Sequence, residues 1–382
     1  MSRRVSRQVN IGGISLGGGL PPVIQTMWKD RLTFQDLEGH SDDGTPLSDA
    51  IVAKVEGLKK LGCGLLRFAV PDISTAEALG RLASMVSMPL VADIHFDHKI
   101  ALRCLDFPIA KIRINPGNFG PHGSPVTRSR IEAVLSGAAR RSVPIRIGIN
   151  AGSLPRDLQQ RVDEGSLETA GALVLAAERE LEIFREFDFP DVLVSMKASS
   201  VTDTIKANRL LAGRTDAPLH IGVTEAGPLI AGVVRSTAAL MVLLEEGIGD
   251  TIRVSLSDTM EKEVIAAREI LGLVNEPLVH GQGSGSDHSR GVRIVSCPRC
   301  GRAGFDTIGF TERWQTRLYS MDNNITVAIM GCEVNGPGEA RHADLGITGT
   351  GNKVLIFRHG KVVRTVDATV ADKAFEEELS RG

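Results

Sequence analysis

The sequence predicts an α/β protein in two parts: a closed barrel of eight parallel strands alternating with helices, then a small α+β domain. Three observations carry this reading. Eight short runs rich in β-branched residues recur between residues 23 and 257, separated by helix-like segments. The stretch they occupy, about residues 20–275, has the size of a (β/α)8 barrel, typically ~250 residues. A Gly-, Ser- and His-rich stretch, "HGQGSGSDHSRG" at 280–291, then breaks the apolar pattern and leaves about ninety residues beyond it. The expected boundaries are a barrel domain over 1–278, a linker over 279–292 and a small domain over 293–382.

The first run is "VIQTM" (23–27), followed by a long polar loop at 30–48. No glycine-rich turn follows it, which argues against an open doubly wound sheet, the runner-up. Next come "GLLRFAV" (64–70), "PLVADI" (89–94), "AKIRINP" (110–116), "PIRIGIN" (144–150) and "DVLVSMKA" (191–198). The last two are "PLHIGVTE" (218–225) and "TIRVSLS" (251–257). Between those two, Ile230, Val233, Val234, Met241 and Leu244 recur at helical spacing, and Gly247 supplies a stop; the stripe reads as core packing. Beyond the linker, "ITVAIMGCEV" (325–334) reads as a strand, and "KVLIFRHGKVVRTV" (353–366) as a hairpin turning at "HG". "DATVADKAFEEELSRG" reads as a closing helix.

Composition excludes several classes. A net charge of −2 gives no support for bulk binding to nucleic acid or an anionic membrane. Aromatic content of 4% is too low for base-stacking platforms. No apolar run approaches the ~18 residues of a membrane helix, and the basic N-terminus has no apolar core of a secretory signal. Five cysteines in 382 residues make no disulfide framework, so a cytoplasmic protein with reduced thiols is expected.

In such a barrel, chemistry sits at the C-terminal strand ends. Here those ends are polar. They carry Arg67; Asp93 followed by His95; Arg113 and Asn115; Arg146 and Asn150; Lys197; Thr224 and Glu225; and Arg253 with Ser255. Taken singly, each is most simply a solvated strand end. Taken together, four arginines and a lysine converge on one mouth. Like charges crowded in a cleft make sense when an anion completes them, and a highly charged one such as a diphosphate fits better than a monocarboxylate. Asp93, His95 and Glu225 are the candidates for proton transfer.

Three of the five cysteines crowd the small domain. Cys297 and Cys300 form "CPRC", and Cys332 lies in "GCEVNGPGE". Cys63 and Cys104 read as buried and inert. A structural zinc would want a fourth ligand, often from a second paired knuckle, and a redox dithiol would not need Cys332. An iron–sulfur cluster takes thiolates and can leave one iron to another ligand. Glu339, after the "GPG" turn, is a candidate oxygen donor. These readings stay open on the residues alone.

The segments "VADIHFD" (91–97), "RINPGN" (113–118), "PIRIGINAGSL" (144–154), "HIGVTEAG" (220–227), "EGIGDTIRVSLS" (246–257), "CPRCGR" and "GCEVNGPGEA" together resemble, in order and over nearly the whole chain, the 4-hydroxy-3-methylbut-2-enyl diphosphate synthases of the methylerythritol phosphate route to isoprenoids. The resemblance implies a TIM barrel similar to dihydropteroate synthase and a small domain similar to a sulfite/nitrite reductase module. It implies a 4Fe–4S cluster on Cys297, Cys300, Cys332 and Glu339. It implies 2-C-methyl-D-erythritol 2,4-cyclodiphosphate as substrate, held by Arg67, Arg113, Arg146 and Lys197 with Asn150, Thr224, Arg253 and Ser255 nearby. Glu225 would be the acidic group at the reacting centre, electrons would come from flavodoxin or ferredoxin, and a homodimer would share each active site between chains. The first loop, 30–48, is longer and more acidic than the family pattern. The alternatives are a zinc-bearing, anion-binding barrel with no catalytic role and a pterin-type transferase using the barrel alone.

Overall fold

The computed structural model describes residues 3–41, 44–120, 124–275, 291–298, 303–332, 336, 338 and 340–381. The chain divides into two compact units, Met1–Pro277 and Leu278–Gly382. Almost all of the expected linker lies outside the described residues.

The first unit begins with a hairpin, β1 (Val9–Ile11) and β2 (Ile14–Leu16). The barrel strands follow: β3 (Val23–Met27), β4 (Leu65–Ala69), β5 (Leu90–Asp93), β6 (Lys111–Ile114), β7 (Ile145–Asn150), β8 (Val192–Lys197), β9 (His220–Ile221) and β10 (Thr251–Ile252). All pair in parallel in the order β8-β7-β6-β5-β4-β3-β10-β9. A parallel bridge between Val194 and Leu219 joins β8 to β9 and closes the ring. Val9, Ile11 and Leu16 of the hairpin pack on Leu65, Val91 and Leu193. That apolar plug seals the N-terminal end and leaves the C-terminal end for chemistry.

The surrounding helices are α1 (Gln35–Glu38), α2 (Leu47–Lys60), α3 (Ile73–Ala83), α4 (His98–Cys104), α5 (Pro125–Arg141), α6 (Arg156–Asp163), α7 (Thr169–Glu186), α8 (Val201–Ala212), α9 (Leu229–Glu245) and α10 (Met260–Asn275). Several start as the sequence dictates. Asp72, Asp97, Ser124 and Ser200 accept backbone N–H groups at the heads of α3, α4, α5 and α8, each cap contributing about 1 kcal/mol. No described helix is long and apolar enough to cross a membrane.

Three expectations need correction. The last two strands are much shorter than their apolar runs. Beyond Ile221 the backbones converge too closely for a regular ladder: a Cβ on Gly222 would sit 2.4 Å from the Arg253 carbonyl oxygen. The stripe expected to face the core on α9 is also wrong, since Ile230 and Val234 are exposed. The buried face is Gly232, Ser236, Ala239, Leu240, Leu243 and Leu244. Small residues win there because the helix presses close, with a Cβ on Gly232 only 2.5 Å from Leu256 Cδ2. Finally, the first loop is more than polar chain. It carries α1 and buries Leu32 and Leu37.

The second unit holds β11 (Arg293–Ser296), β12 (Thr326–Ile329), β13 (Leu345–Thr350), β14 (Lys353–Arg358) and β15 (Lys361–Asp367), with helices α11 (Thr307–Tyr319) and α12 (Ala371–Leu379). β11, β12 and β13 run parallel, and β14 and β15 continue the sheet antiparallel. Phe310, Trp314 and Phe375 of the helices pack with Val327, Ile329, Ile347 and Ile356 of the sheet. The β14–β15 turn has His359 at φ 47° and Gly360 at φ 76°, the paired left-handed residues of a tight hairpin.

Candidate active site

Strand register assembles a charged mouth. Met27 pairs with Arg67, Asp93 with Arg113, and Arg113 with Arg146. Four residues further along β7, Asn150 pairs with Lys197. Arg67, Asp93, Arg113, Arg146 and Lys197 are all buried, Arg146 to 1% exposure.

Asp93 is the hub. Arg113 Nη1 donates to its Oδ1 at 3.0 Å, and Arg67 Nε lies 3.6 Å from its Oδ2. Burial opposes its ionisation, but Arg67, a His95 hydrogen bond and Arg113 more than offset it and hold the carboxyl far below its usual range. Asp93, expected among the proton-transfer groups, therefore has the surroundings of a fixed counter-ion. His95 is half-exposed beside it, with Nε2 3.5 Å from Asp93 Oδ2 and 3.0 Å from Arg113 Nη1. Arg113 Nη2 also donates to the Gly148 carbonyl at 3.2 Å. Glycine at 148 leaves room for this guanidinium, because a Cβ there would lie 2.0 Å from Arg113 Nε and push it aside.

The cations exceed the anions. Arg67, Arg113, Arg146, Lys197 and Arg253 face Asp93 and, from α10, Glu263. Burial, opposed by Asp93, and then Arg253 and Arg113 lower Arg67 to about 10. Burial, then Arg146 and Arg253, drive Lys197 well below its ordinary value. Arg146 is lowered in the same way, by burial, then Arg67 and Arg113. Arg146 reaches Ser195 Oγ at 3.2 Å through Nη1, while its Nε and Nη2 have no hydrogen-bond partner; Arg113 Nε and Arg253 Nε have none either. Buried guanidinium N–H groups left over in a crowd of like charge suit a polyanion.

Thr224 and Glu225 stand on the loop beyond β9, not on a strand. The Thr224 N–H donates to the Ala198 carbonyl at 3.2 Å, tying that loop to the end of β8. Glu225 is exposed and left-handed at φ 52°, a conformation rare outside glycine and concentrated at functional sites. Ser255 lies beyond β10, half-buried.

Three charged residues escaped the sequence reading. Lys111 is fully buried inside the barrel, donating to Gln25 Oε1 at 3.1 Å. It shares a strand face with Arg113, the period-two signal that could have found it. Glu263 lies on the apolar stripe of α10 with Met260, Val264 and Ala267, where an acid is out of place. Glu180, on α7, is buried against the loop after β6. It accepts the Gly117 N–H, leaves Oε2 without a hydrogen-bond partner, and lines a cavity of about 890 Å³ with Asn115, Arg156, Asp157 and Arg179. Burial raises its carboxyl to about 7, against that one hydrogen bond.

In the second unit, Cys297 and Cys332 follow the adjacent parallel strands β11 and β12. The Cys297 N–H donates to the Ile329 carbonyl at 2.9 Å. A Cβ on Gly331 would lie 3.6 Å from Cys297 Sγ, so the two cysteine loops abut. Cys300 and Glu339 lie outside the described residues, and among the described residues no three metal-binding side chains gather. Two thiols at one sheet end fit a thiolate-bound cluster. Cys63 and Cys104 are buried elsewhere, and burial raises both thiols to about 12, which leaves them inert.

Comparison with known proteins covers both units. Residues 6–268 match the GcpE TIM-barrel domain and residues 293–381 the GcpE protein C-terminal domain. A Treponema denticola protein named 4-hydroxy-3-methylbut-2-en-1-yl diphosphate synthase (flavodoxin) is 47% identical, covering 99% of both chains. A namesake from Thermodesulfovibrio yellowstonii is 40% identical over 100% of both chains. Among solved structures, Yersinia pestis dihydropteroate synthase covers 70% of this chain and 96% of its own at 12% identity and a TM-score of 0.43, too loose a likeness to bear on function. The chain belongs to the GcpE family, whose curated relatives are 4-hydroxy-3-methylbut-2-en-1-yl diphosphate synthases.

Proposed function

We propose that this chain reduces 2-C-methyl-D-erythritol 2,4-cyclodiphosphate to 4-hydroxy-3-methylbut-2-enyl diphosphate in isoprenoid synthesis. The cyclic C–O bond opens and one hydroxyl leaves; two electrons and two protons enter and one water departs. The observation that carries this reading is the buried mouth in which Arg146, Arg113 and Arg253 keep N–H groups without partners, on a chain whose relatives bear that enzyme's name. Reduced flavodoxin is the proposed electron donor, as the relatives' names print it. The cytoplasm, which keeps thiols reduced, is the proposed compartment.

Arg67, Arg113, Arg146, Lys197 and Arg253 hold the diphosphate, with Asn150, Thr224 and Ser255 as neutral donors around it. Asp93 keeps Arg67 and Arg113 aligned. Burial and the neighbouring arginines disfavour the charged form of Lys197, and an incoming negative charge favours it. Glu225 delivers a proton to the departing hydroxyl from its strained loop, with His95 as the alternative donor. Cys297, Cys300, Cys332 and Glu339 hold a 4Fe–4S cluster. When bound, that group supplies the electrons and a Lewis-acidic iron. A carboxylate among its ligands is a harder, more easily displaced donor than thiolate.

The cluster of one chain serves the barrel of another, in a homodimer. Mixing Arg146→Ala, assayed at substrate far below its raised KM so that it turns over little alone, with inactive Cys332→Ser chains tests this: subunit exchange should restore activity, and a mixture that gains none despite exchange contradicts shared sites. For the reaction itself, anaerobic turnover of the cyclodiphosphate with reduced flavodoxin is expected in the wild type and lost in Cys332→Ser. Full activity in that variant would remove the cluster from the reaction.

A further inference from the structure

Helix α10 begins with a carboxylate that binding and chemistry have so far left unused. Glu263 is 1% exposed. Thr26 Oγ1 donates to its Oε2 at 2.5 Å, and the Leu256 N–H to its Oε1 at 2.9 Å. Lys29 Nζ pairs with Oε1, and Arg253 Nη2 lies 3.4 Å from Oε1 and 3.5 Å from Oε2. These partners come from three separate places. Thr26 and Lys29 belong to the end of β3 and the start of the first loop, Arg253 follows β10, and Leu256 lies next to Ser255. No other described carboxylate pairs with Arg253; among the described residues its side chain's other hydrogen bond is a weak one from Nη1 to Met27 Sδ at 3.6 Å.

We propose that Glu263 is a positioning residue of the diphosphate site: it fixes the Arg253 guanidinium and the Ser255–Leu256 backbone for the anion and ties Lys29 to the same point. One carboxylate receiving two cations, a hydroxyl and a backbone N–H is oriented from every side. Burial opposes its ionisation, but Arg253, the Leu256 N–H, Lys29 and Thr26 hold it below the usual range, so the charge persists at neutral pH. Arg253 thereby reaches the mouth already ordered, and the anion does not have to immobilise a long side chain on binding.

The inference rests on Arg253 binding the diphosphate, and the test separates the two. Steady-state turnover of the cluster-loaded enzyme is measured for Glu263→Gln, Arg253→Ala and the double variant. Glu263→Gln keeps the shape and removes the charge. It should raise KM roughly tenfold with kcat within about twofold, and add less than about twofold in the Arg253→Ala background, because coupled residues are not additive. An unchanged KM in Glu263→Gln, or an equal factor in both backgrounds, overturns the positioning role while Arg253 stays in the site. An unchanged KM in Arg253→Ala overturns the placement of Arg253 and this inference with it. If Glu263→Gln does not fold, Glu263→Asp takes its place. It keeps the charge one methylene short, and its KM should rise about threefold in the parent and not at all in Arg253→Ala; an additive rise refutes the role.

Discussion

Replacing Glu180 with glutamine should stabilise the barrel at high pH and leave it unchanged at low pH. The carboxyl is buried on α7, takes one N–H from Gly117, and has a second oxygen with no hydrogen-bond partner. The charged groups lining the 890 Å³ cavity with it are Arg156 and the Arg179–Asp157 pair, which is closed on itself at 2.7 Å; a second cavity beside it adds Glu182 and the Arg128–Glu186 pair. Burial lifts the group from an ordinary 4.5 to about 7. Each pH unit of displacement corresponds to about 1.36 kcal/mol, so the full effect is about 3 kcal/mol. The sign follows from proton counting. Between pH 4.5 and 7 the folded chain holds a proton that the unfolded chain has released, so stability is complete below 4.5 and falls as pH rises through 7. Glutamine keeps the acceptor for Gly117 and never ionises. The variant-minus-parent difference in urea unfolding free energy should be near zero at about pH 4.5 and grow to about 3 kcal/mol by about pH 8. In melting temperature that is roughly 6 °C for a domain of this size. Other groups titrate alike in both proteins and cancel. A difference flat with pH, or one that favours the parent as pH rises, would refute the buried-carboxylate reasoning.

Other outcomes follow from the mouth. Arg146→Ala should raise KM for the cyclodiphosphate roughly 10- to 100-fold, the loss of a charge-assisted contact of about 1.5–3 kcal/mol. It should leave the melting temperature unchanged or higher, since it relieves a buried crowd of cations. Asp93→Asn should cost the fold roughly 3–5 kcal/mol by stranding Arg67 and Arg113, with inorganic pyrophosphate recovering part of the loss in a thermal melt. Gly148→Ala should displace the Arg113 guanidinium and weaken substrate binding at least tenfold, read from KM. Diphosphate binding should take up protons through Lys197, so calorimetry in buffers of different ionisation heat should give a positive proton count and affinity should fall as pH rises; equal heats in all buffers would contradict the coupling.

Much of this was legible in the sequence because its signals are local. A β-branched run followed by a helical stripe announces a βα unit, and a charge at the end of such a run lands at the barrel mouth wherever the register falls. Arg67, Arg113, Arg146 and Lys197 were therefore readable one at a time. What escaped depends on distances the sequence does not carry. Glu263 is remote in sequence from Lys29 and hides in a helix that reads as ordinary amphipathic chain. Glu180 becomes unusual only when Gly117 closes over it. The inward face of α9 is not its stripe of large apolar residues, because Gly232 and Ser236 allow a closer approach to the barrel. The ladder of β9 ends before its apolar run does, because Gly222 and Glu225 turn the chain away while β-branched residues continue around them.

The most direct measurement is the visible absorption spectrum of anaerobically purified protein, before and after adding the cyclodiphosphate, with iron and sulfide assayed on the same sample. The expected result is a brown protein with about four iron and four sulfide per chain, absorbance near ~400 nm, bleaching by reductant and a change on adding substrate that Arg146→Ala shifts to higher concentration. A colourless protein holding one zinc per chain, after iron and sulfide were supplied anaerobically, would contradict the reductive reaction.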